Sequence, residues 1–164
     1  MEIYKMKKTV AVILILVMAL SLCACGAKEE PAPSTLGQQL YHEFNAKVEG
    51  GEKDVQALAD ALLQSGMLPF EGLSMEVEPG WLMGFTADVE GFEKAVMFGP
   101  AIGAIPFVAY VFELENAEDC ETFCAKLLES ADPRWNICTE ADETVCGSAE
   151  NLVFFVMCSN EQAE

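Results

Sequence analysis

Histidine is almost missing from this chain: His42 is the only one. Basic side chains are scarce too, 9 against 27 acidic residues. The first shortage removes the usual base behind a serine or cysteine nucleophile, and no Gly-x-Ser-x-Gly stands in the sequence. The second removes the positive footprint that nucleic acid requires. There is no phosphate-cradling Gly-x-x-x-x-Gly-Lys, no dinucleotide fingerprint, no Cys-x-x-Cys and no internal repeat. No apolar run reaches the roughly 20 residues of a spanning helix. The expectation is a chain with no nucleic-acid partner, no cofactor, no metal centre and no catalytic constellation. His42 reads as a surface helix residue.

What is present begins with an address. Lys5, Lys7 and Lys8 precede an apolar stretch of 14 residues from Thr9 to Leu22. That length suits the apolar region of a secretory signal rather than a permanent membrane helix. Leu22-Cys23-Ala24-Cys25-Gly26 follows. It resembles the lipobox of bacterial lipoproteins, with an aliphatic residue at minus three, a small one at minus one and an acceptor cysteine. The resemblance implies cleavage after Ala24 and a diacylglyceryl group, carrying palmitate-like chains, on Cys25. Cys23 is the poorer acceptor, because Leu22 would then fill the small minus-one site. Each buried methylene contributes about 0.8 kcal/mol, so two fatty chains anchor stably where one holds marginally. The expected location is the outer face of the cytoplasmic membrane.

Removing residues 1–24 takes three lysines and one glutamate, leaving 6 basic and 26 acidic residues and a formal charge of −20. A surface of that sign repels anionic headgroups and keeps an exported domain soluble; cations or basic partner surfaces remain open to it. The 140 residues that remain suffice for one domain with a core. Residues 25–34 form the lipidated cysteine and a Pro-containing tether with no apolar period. Residues 35–164 form the domain.

Apolar periodicity sketches an α+β body. Leu36, Leu40, Tyr41 and Phe44 recur at helical spacing behind a Ser34-Thr35 cap, and Val55, Leu58, Ala59, Leu62 and Leu63 make a second stripe ending at Gly66. Residues 73–77, 81–85, 95–98 and 107–114 read as extended, the last apolar on both faces and therefore central. A third helix over 117–129 places Cys120, Phe123, Cys124, Leu127 and Leu128 on one face. Residues 144–148 and 152–158 pair as a hairpin across Glu150-Asn151. The expected architecture is two layers, a mostly antiparallel sheet with helices packed on one face, with a ferredoxin-like arrangement as one topology.

Five cysteines lie in the domain: Cys120, Cys124, Cys138, Cys146 and Cys158. An exported chain permits disulfides, but the number is odd, and free cysteine also behaves as a small buried hydrophobe. Structural thiols, one disulfide, and a metal pair at Cys120 and Cys124 all stand as readings. Asp88 with Glu90, and Glu140 with Asp142 and Glu143, offer oxygens for Ca²⁺ without the spacing of an EF-hand loop.

Two apolar features point to a binding surface. Residues 97–107 carry almost no polar side chain, and Pro100, Ile102, Ile105 and Phe107 are its contact candidates. Arg134-Trp135 sets the only arginine beside one of two tryptophans, residue types favoured as anchors at interfaces, and Trp81 after Pro79-Gly80 is a third partner for them. The same stretches, Ile102-Gly103-Ala104-Ile105-Pro106-Phe107 and Arg134-Trp135-Asn136-Ile137-Cys138, together with the lipobox and acidic body, make the chain similar to small uncharacterised lipoproteins of clostridial Gram-positive bacteria. That resemblance implies localisation and fold, and no activity. The leading expectation is a membrane-tethered binding or accessory domain whose partner is an envelope protein or small ligand. The alternative is an extracytoplasmic enzyme or a thiol or metal protein.

Overall fold

The structure is a computed structural model that describes residues 33–102 and 105–159. The signal, Cys25, most of the tether, and Gly103 and Ala104 of the apolar loop lie outside the described residues. The chain runs α1 (Leu36–Glu49), α2 (Val55–Leu63), β1 (Gly72–Glu76), β2 (Lys94–Pro100) and β3 (Val108–Glu113). A single 3₁₀ turn, Ala117–Asp119, then leads into α3 (Cys120–Ser130), followed by β4 (Glu143–Ala149) and β5 (Leu152–Cys158).

Local chemistry accounts for the boundaries. Thr35 caps α1, its hydroxyl oxygen accepting from Gln38 N at 3.4 Å. Asp54 caps α2 by accepting from Ala57 N at 2.8 Å. Both satisfy amides that a helix start leaves unpaired. Ala149 pairs with Leu152, so Glu150 and Asn151 form the expected two-residue turn, Glu150 with φ of 55°.

All five strands form one sheet in the order β1-β2-β3-β5-β4, every neighbour antiparallel. The α+β class and the antiparallel sheet with helices packed against it are as expected. Both β3 and β4 pair antiparallel with β5, so they run parallel to each other across it. The β3-α3-β4 connection is therefore one split β-α-β unit, where a ferredoxin-like domain has two.

The apolar residues of β3 and β5 demand cover on both faces. Val96, Phe98, Ala109, Val111, Phe154 and Val156 pack beneath α1 and α2. Tyr110, Phe112, Val153, Phe155 and Met157 face the other way, towards Cys120, Phe123 and Leu127 of α3. The helices thus divide between the faces, α3 opposite α1 and α2. With only 11 residues, α3 spans β4 and β5. The rest of that face is covered by irregular chain through Leu82, Phe85, Val89 and Phe92.

Residues 81–85 correct the sequence reading: they are not a strand. Gly80 and Gly84 take φ of 137° and 92°, left-handed conformations that turn the chain and that glycine adopts without strain. Tyr110 Oη donates to Met83 O at 2.7 Å and pins the turn. A side chain at Gly84 would also strike Met157, whose Cε would lie 2.7 Å from the added carbon.

Candidate functional site

The cover of the α3 face stops short of the β1 edge. On β1, Ser74 turns towards α2, where its hydroxyl accepts from Gln56 Nε2 at 2.7 Å and donates to Asp60. Alternation then sends Leu73 and Met75 to the opposite, uncovered face, where both are exposed. An open groove of about 390 Å³ results.

Its lining brings together residues far apart in sequence. Leu73, Met97, Gly99 and Pro100 come from β1 and β2, Trp81 and Met83 from the Gly80–Gly84 turn, Ile105 and Phe107 from the loop before β3, and Trp135 from the segment after α3. Gly99 contributes backbone only, which keeps the groove open between its neighbours. Trp81 is 70% exposed, so a large apolar ring stands in water at the rim. A flat aromatic face in that position offers contact area at little entropic cost.

Five of the seven candidate residues from the sequence therefore meet at one place: Trp81, Pro100, Ile105, Phe107 and Trp135. Their environments differ. Phe107 is 4% exposed and belongs to the core, edge-on to Phe70 at 5.1 Å, so it forms a wall rather than a free contact. Ile105 is half-buried, and Ile102, 86% exposed, stands outside the groove. Arg134 does not stack on Trp135. Its guanidinium turns to Glu140, with Nε and Nη2 each 2.8 Å from Oε2, a charge-assisted fork that outcompetes a ring face. Leu73, Met83 and Met97 were not among the candidates. The missing signal was which face of β1 the second helix covers.

The other candidate chemistries are dispersed. Glu143 accepts from the Thr35 hydroxyl and from Gly37 N, the latter at 3.0 Å, and so anchors the start of α1. Glu140 is taken by Arg134. Asp88 and Glu90 line a larger hollow of about 540 Å³ with Lys126 and Glu129, whose rim is exposed charge. Among the described residues no group of three His, Cys, Asp or Glu side chains is placed to hold a metal ion, and no helix is long and apolar enough to cross a membrane. His42 is exposed on α1.

Among the described residues the five thiols sort into one pair and three singles. Cys124 and Cys146 face each other between α3 and β4, Sγ to Sγ 2.6 Å. Cys120, one turn earlier, is buried and donates to Glu150 O at 3.5 Å. Cys158 is buried beside Glu143, and Cys138 is exposed. Hydrogen bonding from Cys146 draws the Cys124 thiol below the ordinary range, while the same bond and then burial push Cys146 up. Burial first, then the Glu143 charge, pushes Cys158 up. No family model matches the chain, and no curated protein or solved structure matches it either.

Proposed function

We propose that the protein is a lipid-tethered binding domain on the outer face of the membrane, and that its groove at the β1–β2 end takes an apolar group. The observation that carries this reading is the meeting of both tryptophans of the chain with Leu73, Met83 and Met97 in one open, largely apolar hollow. Stable folding gains nothing from leaving Trp81, Met83 and Leu73 in water, since burying each such side chain would contribute roughly 1.5–3 kcal/mol. An uncovered set of this kind marks a contact surface. The volume is of the order of a small-ligand site, and the acidic surface around it favours a neutral or cationic occupant over an anionic one.

The test is a titration of the mature chain carrying Cys25→Ser, so that acyl chains do not compete for the probe, with the neutral fluorophore Nile red. Saturable binding with blue-shifted emission is expected. Trp81→Ala combined with Trp135→Ala should weaken it at least tenfold, which corresponds to about 1.4 kcal/mol. Ile102→Asp, outside the groove, should leave it unchanged. Equal affinity in the wild-type groove and the double variant would refute the assignment.

A further inference from the structure

We propose that Cys124 and Cys146 are an oxidation site, joined in the exported protein by a disulfide that staples α3 to the edge strand β4. The geometry requires almost no movement. Their sulfurs lie 2.6 Å apart, within about 0.6 Å of a covalent S–S bond of about 2.05 Å. The two residues are brought there by the fold: Cys124 lies on the sheet-facing side of α3, and Cys146 on β4, paired with Phe155 of β5, points to the same face. Both are half-buried, so a small oxidant reaches them, whereas Cys120 and Cys158 are enclosed. Among the described residues, Cys120, Cys138 and Cys158 have no sulfur partner at bonding distance.

The step is a thiol–disulfide exchange with an external disulfide, either a low-molecular-weight one or that of an exported oxidoreductase. Cys124 is the attacking group, because its thiolate forms at lower pH and accepts the Cys146 S–H. Its sulfur bonds to one sulfur of the oxidant and expels the other as a thiol. Cys146 then attacks the Cys124 sulfur, forming the intramolecular bond and releasing the second half of the oxidant. The protein loses two electrons and two protons, and the oxidant becomes two thiols.

Cleavage after glutamate places the five domain cysteines on five different peptides, which makes the test direct. Full-length protein isolated from membranes, with free thiols blocked by N-ethylmaleimide, is digested without reductant. In a second arm, purified reduced protein is first treated with oxidised glutathione. Thr122–Glu129 joined to Thr144–Glu150 is expected in both arms, vanishing on reduction. Cys146→Ala should instead accumulate glutathione on Cys124, and Cys124→Ala should leave Cys146 largely unmodified. Recovery of both peptides as maleimide adducts after glutathione treatment overturns the proposal, as does Cys124 linked to any other cysteine. The second arm holds whether or not the groove binds anything and wherever the protein resides.

Discussion

Cys158 ends β5 with its thiol enclosed beneath α1, 3.7 Å from Glu143 Oε2. Burial and that carboxylate hold the proton on sulfur, and burial does the same for the Tyr110 phenol. In the unfolded chain both groups titrate near their ordinary values, about 8.5 for a thiol and 10 for tyrosine. Unfolding therefore releases protons once pH exceeds those values, so stability is full below them and falls as pH climbs towards the raised values of the folded state. Thermal unfolding monitored between pH 7 and 10.5 should show the melting temperature declining above about pH 8.5, and Cys158→Val should flatten the first part of that decline. An unchanged slope in the variant would mean the thiol titrates alike in both states. At the same scale, the sequence marked Trp81 and Trp135 because their size and rarity make them noticeable. It misplaced Arg134, because a nearby carboxylate six residues on in the chain, Glu140, competes for the guanidinium. Leu73 and Met83 look like ordinary core residues until the covered face of β1 is known, and Met97 opens the apolar stretch 97–107 without being singled out in it.

The start of α1 depends on one interlocked set of contacts from two distant segments. Thr35 caps the helix and donates to Glu143 at the start of β4, which also receives Gly37 N. Gly37 has no room for a side chain there, since an added carbon would lie 2.8 Å from Glu143 Oε2. Thr35→Ala should cost about 1 kcal/mol, a fall of roughly 3–5 °C in melting temperature for a domain of this size; a change under about 1 °C would show that the cap contributes nothing. Elements of this kind were legible because each carries its own signal. The Thr35 cap of α1, the stripes 36–44 and 55–63, the extended stretch 73–77 and the run 152–158 all fell within a few residues of the observed bounds. The irregular cover over 77–92 was not legible, because its path is set by Gly80 and Gly84 at positive φ and by the Tyr110 hydroxyl, a long-range contact. The split of the helices between faces was implicit in the two-sided apolar strands, yet nothing local says that α3 lies opposite α1.

Across the whole molecule, the entry of the tether and the groove occupy opposite edges of the sheet. Pro33 and Ser34 lead into α1 beside β4, whereas the groove lies over β1 and β2 on the other face. Four strand spacings of about 4.8 Å separate the two edges, roughly 19 Å. The nine residues from Gly26 to Ser34 reach roughly 30 Å when extended, so the proposed lipid on Cys25 would keep the body within about that distance of a bilayer. Residues 25–164 carry a formal charge of −20, which would repel anionic headgroups only within about a Debye length, roughly 8–10 Å. Confinement of this kind rests on the sulfur of Cys25, and one measurement reaches it directly: the mass of the N-terminal peptide of the protein recovered from the membranes of its native cells. Lipidation predicts a chain that begins at Cys25, carries a thioether-linked diacylglyceryl group, and moves to the soluble fraction in Cys25→Ser. A native protein found free in the medium with an unmodified Cys25 thiol, or one still joined to Ala24, would contradict it.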